Sequence, residues 1–205
     1  ALSPELAGRI AEGESDDRIA ALNEAVASGD AALVPFVQAM LADEVKVAGG
    51  RAYIVRDDKA IEAASGQPAT LPDDAEDVIN NNRMRGELEA AVAALSLFSP
   101  DRASRAKSIT DLKDAIDEGK LGLLDKAIGA ETDAELKGRL ELLRAAVLIA
   151  SPDKVKRLQA AQQLAASPLP ATRSLLVERL AAESDADVKA ALRASIDTVQ
   201  TRLVW

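Results

Sequence analysis

The strongest constraint on the fold of this chain is an internal repeat at an offset of 52 residues. Residues 84–140 align without gaps on residues 136–192, with 18 identities in 57 positions. Self-similarity over this length is the sequence signature of a repeat protein, in which one group of helices or strands recurs and packs on its neighbours. The second half of the chain is therefore predicted to be a tandem repeat.

Each copy of the repeat carries its own helix-start signals. In a Ser-Pro-Asp segment, the serine is expected to be the N-cap, the proline fits the first helical position, and the aspartate complements the helix dipole. A hydroxyl residue followed three positions later by an acid resembles a capping box. The Ser-Pro-Asp segments begin at Ser99 and Ser151, the related Ser-Pro-Glu begins at Ser3, and the capping boxes pair Thr132 with Glu135 and Ser184 with Asp187.

Between these signals the apolar residues keep helical spacing, which predicts helices that each bury one stripe. One such stripe comprises Val188, Leu192, Ile196, Val199 and Leu203. The predicted helices cover residues 4–12, 15–28, 31–43, 81–98, 101–117, 120–130, 133–150, 152–167, 171–183 and 185–203. The expected fold class is mainly α: a HEAT- or armadillo-like α-solenoid of about ten helices.

A β-hairpin is expected to interrupt the helices near residues 45–63. Apolar and polar residues alternate on both sides of Gly49-Gly50, and a third strand is expected at 59–63 after a turn at Asp57-Asp58. Residues 66–72 are expected to form a linker. We therefore divide the chain into an N-terminal helical segment, 1–44, a hairpin and linker insertion, 45–74, and the tandem helical repeats, 75–205.

Composition excludes several classes of function. The net charge of −9 and pI of about 4.7 disfavour nucleic acid and anionic membrane surfaces as partners. The chain has no cysteine and no histidine, which removes thiol nucleophiles, imidazole bases and thiolate zinc sites. The longest apolar run, Ala145 to Ala150, is far shorter than a membrane span. We predict a non-enzymatic protein without cofactors and without direct membrane insertion by this segment.

Acidic residues cluster at Asp16-Asp17, at Asp57-Asp58 and at Asp73-Asp74 with Glu76 and Asp77. A carboxylate-only calcium or magnesium site is one interpretation. None of the clusters has EF-hand spacing, and helix N-termini or a turn explain them better than a metal site does, so we assign no metal ligand and no catalytic residue.

The most unusual polar run is residues 80–85, Asn-Asn-Asn-Arg-Met-Arg. A helix start needs one asparagine as its cap, so the others require another role. We select Asn81, Asn82, Arg83 and Arg85 as a polar cluster that either binds a partner or stabilises the fold. The arginines could hold carboxylates of the hairpin or could face carboxylates of a partner, and we favour the internal role.

With the motifs Asn81-Asn82-Arg83-Met84-Arg85-Gly-Glu-Leu-Glu, Ser99-Pro100-Asp101 and Ala130-Glu-Thr-Asp-Ala, the chain resembles the N-terminal extension of bacterial urea ABC transporter permease subunits. That family is similar to branched-chain amino-acid permeases, with a soluble helical segment placed between a signal sequence and the membrane part. The chain stops at Leu203-Val204-Trp205, about where the first membrane segment of that family would begin.

The resemblance implies a periplasmic domain that docks the solute-binding protein or organises the transporter, with the membrane part as a second partner. It carries over no substrate-binding residue. A free-standing helical scaffold for protein–protein interaction, unrelated to transport, is the alternative, and a small-ligand sensor that uses a groove beside the hairpin is a third interpretation.

Overall fold

The structure is a computed structural model that describes residues 2–204. It is mainly helical, with ten α-helices and 65% of the residues in helices, and it contains one small antiparallel sheet. Short 3-10 turns extend α3, α4, α6 and α8. The helices are α1 Pro4–Ala11, α2 Ser15–Val26, α3 Val34–Leu41, α4 Asn82–Leu95, α5 Arg102–Leu112, α6 Leu121–Ala130, α7 Ala134–Ile149, α8 Lys154–Gln163, α9 Ala171–Ala182 and α10 Ala186–Val204. Each predicted helix corresponds to one of them.

The sheet has five strands in the order β4-β3-β2-β1-β5, and every neighbouring pair is antiparallel. The strands are β1 Val45–Ala48, β2 Arg51–Arg56, β3 Lys59–Glu62, β4 Pro68–Ala69 and β5 Glu76–Asp77. The predicted hairpin and third strand are confirmed. The linker expected at 66–72 is instead partly strand β4. Likewise, Glu76 and Asp77 form edge strand β5 and not a helix N-terminus. Two-residue strands carry too little alternation to be seen in a sequence.

Both tight turns of the sheet use backbone conformations with positive φ. Gly49 and Gly50 have φ of 56° and 74°, and Asp57 and Asp58 have φ of 51° and 64°. Two consecutive positive φ values define the turn that matches the twist of a two-residue hairpin. Aspartate is among the few residues with a side chain that tolerate this region. Asp57-Asp58 is thus the turn that the sequence predicted.

The chain folds into two compact units, Ala1–Ala115 and Ile116–Trp205, which we call the N-terminal unit and the C-terminal unit. The three-segment division at residues 44 and 74 stays a prediction. In the N-terminal unit, α1 packs on β1, β2 and α2, while α4 packs on α2, α3 and α5. Its largest fully buried side chains are Ile10, Leu22, Phe36, Met40, Met84, Leu88, Leu95 and Leu112.

Helix α1 approaches the hairpin very closely. A Cβ atom added to Gly8 would lie 2.0 Å from the carbonyl oxygen of Gly50, well inside van der Waals contact. Only glycine therefore permits this distance between the helix and the β1–β2 turn.

The C-terminal unit consists of helices alone. Helix α7 packs on α6, α8 and α9, and α10 packs on both α8 and α9. Its core is made of small and aliphatic side chains, including Ile149, Ala160, Ala161, Leu164, Leu176 and Leu192. Small side chains allow helices to approach one another, as expected for a core with few aromatic residues.

The 52-residue repeat corresponds to three equivalent helices, α4, α7 and α10. Their buried stripes occupy the same four positions of the repeat, and every member is at most 8% exposed. The stripes are Met84, Leu88, Ala91 and Leu95; Leu136, Leu140, Leu143 and Val147; and Val188, Leu192, Ser195 and Val199. The predicted stripe of α10 is confirmed at Val188, Leu192 and Val199, and Ile196 is half-buried, while the side chain of Leu203 lies outside the described residues.

The helix caps differ from the prediction by one or two residues. Asp101 and Asp153, not Ser99 and Ser151, are the N-caps of α5 and α8. Each serine hydroxyl instead accepts the backbone N–H of its aspartate at 3.1 Å. The aspartate is favoured over the serine as the N-cap because its charged oxygen also interacts with the helix dipole.

At the start of the chain, Ser3 does cap α1, as predicted. The acid there is Glu5, whose longer side chain is a poor cap. The expected capping boxes at Thr132 and Ser184 are replaced for the same reason as in α5 and α8: Asp133 and Asp185 accept the first N–H groups of α7 and α10.

Candidate functional site

The polar run 80–85 lies at the start of α4, where it contacts α2 and the C-terminal end of α3 in the N-terminal unit. Asn81 is the N-cap: its Oδ1 accepts the N–H of Met84 at 2.8 Å, and its Nδ2 donates to Ser15 Oγ at 3.1 Å. Asn80 precedes the cap and donates to the carbonyl of Met40 at 3.1 Å. Asn82 is the first residue of the helix and is exposed. Two asparagines therefore have defined partners, and Asn82 faces solvent.

The two arginines of the run make internal contacts. Arg83 forms an ion pair with Asp16 at 2.6 Å, in the first turn of α2. Arg85 donates to the carbonyl of Leu41 at 3.0 Å and to Asp43 Oδ2 at 2.8 Å, after the end of α3. These carboxylates lie outside the hairpin, so the expectation that the arginines hold hairpin carboxylates is wrong. The start of α4 packs on α2 and α3, which brings carboxylates in and beside those elements within reach of the arginines.

Arg18 lies at the centre of this region, and it was not among the residues predicted from the sequence. Its side chain is buried, with only 5% of the residue exposed. Nε donates to the carbonyl of Ile10 at 2.7 Å, and the two terminal nitrogens donate to the carbonyl of Ile79 at 3.0 Å and to Asn80 Oδ1 at 2.6 Å. Burial lowers the pKa of Arg18 from its ordinary value. One guanidinium thus joins α1, α2 and the segment that precedes α4.

A signal for Arg18 does exist in the sequence. Arg18 lies four residues before Leu22 and seven before Ala25, which places it on the apolar stripe of α2. A buried arginine needs hydrogen-bond acceptors, and here all three are neutral oxygens. Two of the acceptors, on Ile79 and Asn80, are 61 and 62 residues away, so no local pattern in the sequence connects them with Arg18.

The segment between β5 and α4 presents Ile79 to solvent. Ile79 is 83% exposed, whereas its neighbour Val78 is 7% exposed and donates its N–H to the carbonyl of Val45 at 3.1 Å. The preceding strand contributes two exposed acids, Glu76 and Asp77. This segment therefore has a hydrogen-bonded backbone and exposes one apolar side chain together with carboxylates.

The same position in the C-terminal unit is built differently. Glu183, which is 52 residues after Glu131, accepts the N–H of Asp185 at 3.0 Å and pairs with Arg157 Nε at 3.0 Å. Burial opposes ionisation of Glu183, but the bonds from Asp185 and Arg157 hold its pKa below the ordinary value. Ile79 stands at the equivalent position before α4, so the buried glutamate of the later copy becomes an exposed isoleucine.

A shallow groove of about 250 Å³ lies in the C-terminal unit. Its walls come from α7, from the end of α8 and from the segment that follows it, and include Gly138, Leu142, Gln163 and Pro168. Across residues 2–204, no three acidic side chains are grouped so as to hold a metal ion. The predicted acidic clusters at Asp16-Asp17 and Asp57-Asp58 are a first helical turn and a hairpin turn.

The two units differ sharply in charge. Residues 1–115 contain 21 acidic and 12 basic residues, whereas residues 116–205 contain 13 of each. The whole net charge of the protein therefore resides in the N-terminal unit, which also holds the polar run. An asymmetry of this size creates a negative field on one part of the molecule and attracts cationic partners.

No helix within the described part of the chain has the length and apolar character needed to cross a membrane. The chain matches no protein-family model, and comparison with curated proteins and with solved structures finds no similar protein.

Proposed function

We propose that this chain is a non-catalytic docking domain of a urea or short-chain amide ABC transporter permease. It would lie in the periplasm, bind the solute-binding protein or organise the transporter, and be joined to the membrane part. The motifs at 81–89, 99–101 and 130–134 support the family, and the charge distribution carries the argument for docking. A negative N-terminal unit speeds the encounter with a positively charged protein surface and orients it.

We further propose that the helices of the C-terminal unit form a short α-solenoid of the HEAT or armadillo type. The packing of α10 on both α8 and α9 supports this architecture, because stacked repeats bury each helix against its neighbours. The three equivalent stripes of α4, α7 and α10 support it as well. This packing also favours the alternative function, a free-standing scaffold for protein–protein interaction.

Calorimetry of the 205-residue chain with the purified solute-binding protein tests the docking proposal. A transporter must release its binding protein in every cycle, so we expect a Kd of about 1 μM or weaker. Association should weaken as salt rises, because screening reduces the attraction between charged surfaces. No association at low salt would contradict docking, and a submillimolar Kd for urea alone would favour the ligand sensor.

A matched pair of variants places the interaction on one unit. Asp74→Asn with Glu76→Gln, and Glu141→Gln with Glu178→Gln, each remove two exposed carboxylates and change the net charge equally. The proposal expects weaker association for the first pair and unchanged association for the second. The reverse result would place docking on the C-terminal unit.

A further inference from the structure

Three large apolar side chains are exposed among the described residues, and Ile79 is the most exposed. Ile79 is 83% exposed, compared with 60% for Val155 and 42% for Val177. Single exposed apolar residues are common and need no explanation by themselves. Ile79 is unusual because the equivalent residues of the later copies, Glu131 and Glu183, are only 9% and 8% exposed.

The exposure of Ile79 does not come from a loose segment. The backbone on its N-terminal side is paired with β1 through Val78, and its own carbonyl accepts a bond from Arg18. On its C-terminal side, Asn80 is bonded to Arg18 and to the carbonyl of Met40, and Asn81 caps α4. The isoleucine is therefore held in a fixed position with its side chain in solvent. A partner that binds it meets little cost of ordering the backbone.

Acidic residues flank this position on two sides. Segments 12–17 and 73–77 together contain eight carboxylates and no basic residue. The first segment is tied to the site by the bond between Ser15 and Asn81, and the second leads directly into Ile79. The Asp16 and Asp77 side chains are 81% and 77% exposed, although each has a cationic partner. The surroundings of the apolar side chain are thus predominantly negative.

We propose that Ile79 is the apolar anchor of a docking surface formed by residues 76–82 and the first turn of α2. Its occupant is a protein surface with an apolar socket bordered by lysine or arginine side chains. The inference rests on the proposed function, in which this surface belongs to the solute-binding protein. A few side chains that fill well-packed, desolvated pockets near the centre of an interface carry most of its binding energy.

A second copy of this chain fits the surface less well. A two-fold dimer built on Ile79 would bring the same acidic segments of both copies together, because such an interface uses one patch twice. Like charges placed opposite one another oppose association.

The test uses four proteins and the purified solute-binding protein in calorimetry at low salt. They are the unaltered 205-residue chain, Ile79→Ser, Ile79→Glu and the control Val155→Ser, which removes an exposed valine from the C-terminal unit. Ile79→Ser should weaken association about tenfold or more, the size expected for loss of an interface anchor. Ile79→Glu introduces the residue type of the later copies and should weaken it at least as much, whereas Val155→Ser should leave it unchanged.

Melting temperatures identify effects on folding. The exposed side chain of Ile79 contributes little to the core, so both Ile79 variants should melt within about 2 °C of the unaltered chain, since a surface change of this kind is within ±0.5 kcal/mol. Weaker association with unchanged melting supports the anchor. Unchanged association of Ile79→Ser overturns the anchor and leaves the docking function standing.

Two further outcomes have different consequences. If the unaltered chain does not associate with the solute-binding protein, both the docking function and the anchor fail. Sedimentation of the chain alone examines the second copy: a dimer that Ile79→Ser abolishes would overturn the proposed occupant.

Discussion

The starts of α4 and α10 have the same place in the 52-residue repeat but different supporting contacts. Both helices have a capping side chain at the same position, Asn81 and Asp185, and both are stabilised by an arginine from an earlier helix. Before α10, Arg157 pairs with the buried carboxylate of Glu183, but before α4, Arg18 binds a carbonyl and an asparagine. The helix start is therefore similar in the two copies, but the arginine contact beside it differs. We call the contact of Arg157 with Glu183 the ionic clamp, and the contact of Arg18 with neutral oxygens the neutral clamp.

The two clamps differ in which side chain they leave exposed at the surface. In the ionic clamp the carboxylate of the glutamate is itself the partner of the arginine, so the side chain is buried, and Glu183 is 8% exposed. In the neutral clamp Arg18 donates to the backbone carbonyl of Ile79. The Ile79 side chain takes no part in this contact and lies in solvent. The Ile79 side chain is thus left in solvent because the arginine bonds to the backbone at this position and not to the side chain.

The largest expected effect tests whether the helices are equivalent at all. Leu88, Leu140 and Leu192 occupy one position of the repeat and are each at most 1% exposed. Replacement of each by alanine should cost about 2–5 kcal/mol through loss of burial and a residual cavity. Denaturant unfolding measures the loss, and Val177→Ala, at a partly exposed site, should cost far less. A loss below about 0.5 kcal/mol at one leucine would exclude its helix from the repeat.

The next effect contrasts a helix packed on the sheet with the helices of the repeat. Gly8→Ala would place a methyl group 2.0 Å from the carbonyl oxygen of Gly50 and should cost about 3 kcal/mol, the upper range for overpacking. Gly86→Ala and Gly138→Ala are matched controls because the new methyl group meets no atom within 4 Å.

The two controls should raise stability by about 0.5–1 kcal/mol, the helix preference of alanine over glycine. The third copy already has Ala190 at this position. Hydrogen exchange of amides in α1 and in α4 or α7 reports the changes; a neutral Gly8→Ala would mean that α1 shifts freely away from the hairpin.

Removal of the neutral clamp should have a somewhat smaller effect. Arg18→Met leaves the carbonyl oxygen of Ile10 and the side-chain oxygen of Asn80 without a hydrogen-bond donor. This change should lower the free energy of unfolding by about 2 kcal/mol, as unsatisfied buried groups do. The matched control is Arg51→Met, which breaks the exposed pair with Glu62 and should cost less than about 1 kcal/mol. Thermal unfolding measures both, and equal losses would mean that the buried contacts of Arg18 add nothing.

The contribution of the ionic clamp to stability should depend on pH. The folded-state pKa of Glu183 lies below its ordinary value of 4.5, so its contribution is fully present above that pH and is lost as the pH falls through the folded pKa. Glu183→Gln should lower stability by about 1 kcal/mol at neutral pH, the scale of one hydrogen bond, and should flatten the acid dependence below 4.5. Unfolding curves from pH 7 to 3 measure this. An unchanged slope in the variant would show that Glu183 does not carry the effect.

Local patterns in the sequence predicted the positions of all ten helices, the hairpin and the register of the repeat. Helical periodicity, glycine turns and capping side chains act over a few residues, so they can be read without knowledge of the fold. The caps themselves were displaced by one or two residues, because serine and aspartate compete within the same turn. The short strands β4 and β5 depend on pairing with β3 and β1 and leave no comparable local signal.

What only the tertiary structure decided is the chemistry around Ile79. The alignment of residues 84–140 with 136–192 is a property of the sequence alone, and it makes Glu131 and Glu183 equivalent. The N-caps Asn81 and Asp133, observed in the structure, extend the same 52-residue spacing to Ile79. Glu183 is buried where Arg157 pairs with its carboxylate, and Ile79 is exposed where Arg18 bonds to its backbone carbonyl. Two of the three acceptors of Arg18 lie 61 and 62 residues away along the chain. A contact of that separation exists only after α2 and the start of α4 have packed together, because no local propensity specifies it.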